Sequence, residues 1–125
     1  MAAILVVDDE AGIRELLSDV LARDGHDVRA AADGAEALRQ LDGRTFDLMI
    51  TDLKMPGTVG GMDLVRWSSS DAPEMGIIVL TAHGTVDTAV EAMKLGASDY
   101  LQKPLGSPAE LSLLVADALE RRGKR

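Results

Sequence analysis

The sequence predicts an α/β fold, a parallel sheet wrapped by helices on both faces, on three observations. Short apolar runs alternate five times with longer stretches of helical period. Three of those runs, at 4–7, 48–51 and 77–80, are apolar at nearly every position, as central parallel strands covered on both faces must be. Acidic, hydroxyl and amine residues stand just after the runs, where loops at the carboxyl ends of parallel strands converge.

Taken in order, Ile4 to Val7 forms the first strand, and Ile13, Leu16, Leu17, Val20 and Leu21 recur at helical spacing to form the first helix. Val28 to Ala31 is a weaker strand, followed by Asp33 and Glu36 as N-cap and capping-box partner of the second helix. Leu48 to Thr51 is the third strand. Gly57, Gly60 and Gly61 then mark a mobile loop, and Ser68, Ser69 and Ser70 leave the third helix with weak intrinsic support. Ile77 to Leu80 is the fourth strand, Thr85 to Leu95 a helix closed by Gly96, and Tyr100 to Leu101 a short, weak fifth strand. Ser107, Pro108 and Glu110 open the last helix, which carries Leu111, Leu114, Val115, Ala118 and Leu119 on one face. No repeat, linker or low-complexity stretch divides the chain, so residues 1–125 are expected to form one domain.

A chain of 125 residues can bury roughly two-thirds of its unfolded surface in one core. Its formal charge of −8 disfavours direct binding of nucleic acid, and the basic run Arg121, Arg122, Lys124, Arg125 is too short to reverse that and reads as a solvated tail. The absence of cysteine excludes disulfides and thiolate metal sites. Asp8, Asp9 and Glu10 interrupt the segment where a signal peptide needs an apolar core, and no run approaches the roughly 18 apolar residues of a membrane span, so a cytoplasmic location is expected.

The strand ends carry the chemistry. Strand one runs into Asp8 and Asp9, strand three into Asp52, strand four into Thr81 and Ala82, and strand five into Lys103 and Pro104. Singly, each has a commonplace reading: a helix cap for an acid or threonine, a turn residue for Asp52, a surface charge for Lys103. Together on one edge they form a site. Carboxylates about 4 Å apart repel by about 4 kcal/mol per pair at an effective dielectric of about 20. Lys103 offsets one of three negative charges, and the remainder calls for a divalent cation; oxygen ligands without Cys or His favour Mg²⁺. A carboxylate so flanked can attack phosphorus, and Asp52 lies at the centre of the sheet. His26 and His83 lack metal-ligand spacing. Trp67 reads as a partly buried side chain of the third helix, and Met49, Met55, Met62, Met75 and Met93 as packing or loop anchors.

ILVVDDE at 4–10, TDLKMPG at 51–57, VLTA at 79–82 and DYLQKPL at 99–105 together resemble the receiver domains of two-component response regulators, over essentially the whole chain. The segment 85–104 is most similar to receivers of nitrogen-regulator-type (sigma-54) activators. The resemblance implies a flavodoxin-like (βα)5 fold with a five-stranded sheet of order 2-1-3-4-5 and a cis Lys103–Pro104 bond. It implies that Asp52 accepts a phosphoryl group from a sensor histidine kinase. Mg²⁺ would be held by Asp9, Asp52 and the Lys54 carbonyl, with Asp8 acting through water. Lys103, Thr81 and the Ala82 backbone would contact the phosphoryl oxygens, and Tyr100 would turn inward as Thr81 moves. Lys54 and His83 would tune the lifetime of the phosphoryl group. The surface of helix four, strand five and helix five would carry the signal to an output domain or effector protein, with dimerisation of two copies as a further implication. Such a chain is a signalling switch in a phosphorelay controlling transcription, catalysing only its own phosphorylation and dephosphorylation.

One departure stands out: Thr58, Val59 and Gly60 lengthen the loop after MPG, so that the family's glycine falls one residue late, at Gly61. The chain also ends soon after the fifth helix, which suggests a stand-alone or excised receiver. A pseudo-receiver that signals without phosphorylation is disfavoured by the presence of every acid, hydroxyl and amine. An aspartate-nucleophile phosphatase needs an acid two residues after Asp52, where Lys54 stands, and a dinucleotide-binding fold needs glycines where Asp8, Asp9 and Glu10 stand.

Overall fold

The computed structural model describes residues 1–122; Lys124 and Arg125 of the expected basic tail lie outside the described residues. Five strands, β1 (Ala3–Val7), β2 (Asp27–Ala31), β3 (Leu48–Thr51), β4 (Gly76–Thr81) and β5 (Asp99–Gln102), alternate with α1 (Ala11–Arg23), α2 (Gly34–Gly43), α3 (Gly61–Asp71), α4 (Val86–Lys94) and α5 (Pro108–Arg122). All pairings are parallel, in the order β2-β1-β3-β4-β5. This is the flavodoxin-like arrangement that the motifs implied.

The period-two geometry of a strand explains how one apolar run serves two layers. Ile4, Val6, Leu48, Ile50, Ile78 and Leu80 point to one face, against Leu17 and Leu21 of α1 and Leu111 and Val115 of α5. Leu5, Val7 and Met49 point to the other, against Ala37 and Leu41 of α2 and Leu64 of α3. On that same side Ile77 and Val79 meet Val65 of α3 and Ala92 of α4. The edge strand β2 instead alternates exposed and covered positions, which is why its sequence signal was weak.

The caps fall close to where the sequence put them. The Asp33 carboxylate accepts the Glu36 N–H at 2.8 Å, while Glu36 reaches back to the N–H of Ala32 and not to that of Asp33. The Ser107 hydroxyl accepts the Glu110 N–H at 3.2 Å, and Gly96 adopts φ +105 after α4, a left-handed conformation that glycine reaches without a Cβ clash. Helix α3 forms in spite of its serines: Leu64 and Val65 anchor it, and the buried Ser68 hydroxyl is satisfied by the Leu64 carbonyl at 2.9 Å. Helix α4 is held more loosely. Of its nine residues only Ala92 is buried, while Val86, Val90 and Met93 remain exposed. Among the described residues, no helix is long and apolar enough to cross a membrane.

Candidate functional site

The register of the sheet brings the ends of β1 and β3 level, since Val7 pairs with Thr51, while β4 runs two residues past Val79, the partner of Thr51, to Thr81. Asp8 and Asp52 therefore leave adjacent strands side by side, and both are almost wholly buried, at 2% and 3% exposure. Their backbones remain in the ladder, with the Asp8 N–H on the Ala31 carbonyl and the Asp52 N–H on that of Val7. Lys103, one residue past β5, lays its ammonium between them, 2.8 Å from Asp8 and 3.0 Å from Asp52. The Lys103–Pro104 peptide is cis.

The polar atoms around Asp52 fix its carboxylate from several directions. Oδ1 accepts the Leu53 N–H at 2.6 Å and the Lys54 N–H at 3.4 Å, and Oδ2 takes Lys103. The Thr81 hydroxyl favours the ionised form of that carboxylate, and its oxygen accepts the His83 N–H at 3.1 Å. Asp8 accepts the Glu10 N–H at 3.0 Å, and Arg14 from the first turn of α1 holds the Asp8 carbonyl at 2.7 Å.

Burial pulls Asp52 toward the neutral acid, but the Thr81 hydroxyl, the Lys103 ammonium and the Lys54 N–H outweigh it and leave its pKa below the usual carboxylate value. For Asp8 burial prevails over Lys103 and the Glu10 N–H, with the Asp52 charge adding to it, so its pKa is raised. Lys103 is opposed by its own burial, yet its bonds to Asp8 and Asp52 push its pKa above the ordinary lysine value. The arrangement at neutral pH is an ionised Asp52 beside a permanent ammonium.

Asp8, Asp52, Thr81 and Lys103 are thus brought together as their positions at strand ends implied. Asp9 is exposed and stands outside the acidic cluster. Glu10, which the sequence did not point to, joins the cluster: one oxygen each from Asp8, Glu10 and Asp52 lie within 4.8 Å of one another, and Glu10 lies 3.5 Å from the Lys103 ammonium. The run of three acids at 8–10 was its signal, but spacing alone does not say which of two successive loop residues turns inward. Such a cluster could bind a metal ion. Lys54, Ala82 and His83 are exposed at the rim, and Tyr100 is partly buried with its hydroxyl 2.8 Å from that of Thr88 in α4.

The lengthened loop also has a defined place. The Gly61 N–H donates to the Leu53 carbonyl at 2.9 Å, and a Cβ at Gly61 would stand 1.8 Å from the Asp52 carbonyl oxygen. The late glycine is therefore the residue that lets α3 begin directly against the backbone of Asp52.

The model of the response regulator receiver domain matches residues 4–116. The chain belongs to this family. The alginate biosynthesis transcriptional regulatory protein AlgB of Pseudomonas aeruginosa is 41% identical over 119 residues, 95% of this chain and 26% of that protein. The chain spans about a quarter of the length of the curated relatives it matches. Among solved structures, a response regulator receiver domain protein from Clostridium thermocellum is 39% identical with a TM-score of 0.87, covering 98% of each chain. The beryllofluoride-activated NtrC4 receiver domain dimer is 34% identical with a TM-score of 0.88, covering 96% of this chain and 98% of that one. AlgB and the GlrR protein of Escherichia coli are transcriptional regulatory proteins, and a receiver is a phosphorylation switch with a kinase as its partner, not an enzyme acting on outside substrates.

Proposed function

We propose that residues 1–125 form a single receiver domain whose phosphoacceptor is Asp52. The observation that carries this reading is the carboxylate of Asp52, buried, ionised and held between Lys103 and the loop N–H groups at the open end of the sheet. One oxygen is fixed by Leu53 and Lys54 and the other by Lys103, so the nucleophile needs no general base and little reorientation. As the bond from Asp52 to phosphorus forms, the bond from phosphorus to the donor's leaving atom breaks, and that group departs with the electron pair. Lys103, the Thr81 hydroxyl and the Ala82 N–H then take the phosphoryl oxygens.

Mg²⁺ fits the residues present. Asp8, Glu10 and Asp52 carry three negative charges against the single ammonium of Lys103, and all offered ligands are oxygens. Asp52, Asp8, the Lys54 carbonyl and one of the two acids after Asp8, Asp9 or Glu10, would hold the ion. Bound there, Mg²⁺ supplies neutralisation of phosphoryl charge.

The donor is a sensor histidine kinase, and the readout is a change of packing through Thr81 and Tyr100 that reaches the α4, β5 and α5 face. That face carries Val86 at 80% and Leu113 at 72% exposure, apolar surface suited to an output domain or effector that controls transcription, or to a second copy of the chain. Lys54 and His83, at the rim, set how long the phosphoryl group survives.

The test is intact mass after incubation with Mg²⁺ and acetyl phosphate. One added phosphoryl group is expected on the unmodified chain and none on Asp52→Asn; equal uptake by that variant would move the acceptor elsewhere.

A further inference from the structure

Helix α4 has one buried residue, Ala92, so apolar packing does little to fix its first turn and its N-terminal hydrogen bonds weigh correspondingly more. Those bonds centre on Thr88. Its Oγ1 accepts the Thr85 N–H at 2.9 Å and donates to the Thr85 carbonyl at 3.0 Å, while its own N–H donates to Thr85 Oγ1 at 3.1 Å. A threonine hydroxyl has one proton and two lone pairs. Oγ1 also lies 3.1 Å from Thr85 Oγ1 and 2.8 Å from the Tyr100 hydroxyl, and in each of these pairs either oxygen can donate.

A second observation shows that this place is shaped for the phenol. A Cβ at Gly84 would stand 2.2 Å from the Tyr100 hydroxyl and 3.0 Å from two ring carbons, so the ring occupies the space that a side chain at 84 would fill. Tyr100 in turn pairs with Val79, two residues before Thr81 on β4, and its ring packs against the cluster that contains Val79 and Ala92.

We propose that the Tyr100 hydroxyl is a removable member of the N-terminal cap of α4, seated by Gly84 and Thr88, and that its departure loosens the first turn of that helix. Gly84 and Thr88 are positioning residues. The proposal rests on the receiver reading for what moves Tyr100, but not for the cap itself. Loosening 86–90 would change how Val86 and Val90 are presented on the output face, which gives the switch a physical output beyond the displacement of one ring.

The test uses the whole chain and amide hydrogen exchange of residues 86–90. In the unphosphorylated protein, Tyr100→Phe is expected to speed exchange there about fivefold, the weight of one neutral hydrogen bond. Thr88→Val removes the partner hydroxyl and speeds it further, and the double variant should be no faster than Thr88→Val alone. Exchange in Tyr100→Phe equal to that of the unmodified chain, or a double variant in which the two effects multiply, would overturn the cap. Since Tyr100 is the single tyrosine, 3-fluorotyrosine gives one ¹⁹F resonance, which Thr88→Val should shift; an unmoved signal counts against the contact. Phosphorylation with Mg²⁺ and acetyl phosphate should bring the unmodified chain to the Tyr100→Phe rate, and retained protection would show that the cap is not removable. If no phosphoryl group enters the chain, the reading of Asp52 fails while the cycle on the unphosphorylated protein still decides the cap.

Discussion

Lys103 is the residue on which the electrostatics of the site turn, because among the described residues it alone forms ion pairs with both carboxylates that have left water. Removing one partner of a buried ion pair typically costs about 3–5 kcal/mol, since the charges left behind are unpaired. Lys103→Met is therefore expected to lower unfolding free energy by about that much in urea at pH 7. The pH dependence distinguishes this from lost packing. In the unmodified chain the lowered pKa of Asp52 contributes stability that is full above the ordinary value of 3.8 and fades as pH falls through the native value. Without Lys103 both acids lose a partner that lowers their pKa, so the folded variant takes up protons at higher pH than the unmodified protein and its stability falls off less, or rises more, as pH falls. The gap between variant and unmodified protein should narrow from pH 7 to pH 5; a constant gap would assign the loss to packing. Asp8, Asp52, Thr81 and Lys103 were legible in the sequence because a residue after a parallel strand has only one edge to occupy. Glu10 was not, because its approach depends on the extended backbone at the N-cap of α1, φ −89 and ψ 115, which the run Asp8-Asp9-Glu10 does not encode.

Helix and loop boundaries show the same division between what periodicity encodes and what contacts impose. The strands at 4–7, 48–51 and 77–80 could be read directly, because burial on both faces leaves an uninterrupted apolar run. Helix α3 was faint, because its serines contribute nothing to a hydrophobic period and its start is fixed by tertiary contact, Gly61 lying on the Asp52 carbonyl. Glycine substitutions separate the two causes. Gly61→Ala drives a Cβ into the backbone of Asp52, and a loss of about 1–3 kcal/mol is expected, with slower phosphoryl uptake as the loop shifts. Gly12→Ala, in α1 with nothing within 4 Å of the added carbon, should leave the site untouched and stabilise the chain by up to about 1 kcal/mol. Asp33→Ala, which strips the cap of α2 from the Glu36 N–H, should lose about 1 kcal/mol in the same denaturation experiment without altering uptake.

A net charge of −8 spread over 125 residues opposes compaction, and the acids drawn together at the open end of the sheet add to that opposition locally. A cation that binds the assembled cluster and not the unfolded chain must then stabilise the fold by mass action, by about 2.7 kcal/mol at 100 times its dissociation constant. Thermal unfolding in rising Mg²⁺ should accordingly show a midpoint that climbs with concentration, over and above the change produced by NaCl at equal ionic strength. Asp52→Asn should flatten that climb, since it removes one charge of the Asp8, Glu10 and Asp52 cluster. The decisive comparison is between the two acids that follow Asp8. Glu10 stands with Asp8 and Asp52 within 4.8 Å, whereas Asp9 is exposed, so if this packing persists with the ion bound, Glu10→Gln weakens the response and Asp9→Asn leaves it intact. The opposite result would mean that the loop at 8–10 turns over on binding, exchanging Glu10 for Asp9 at the ion, and that cation binding itself reshapes the mouth through which the phosphodonor must approach.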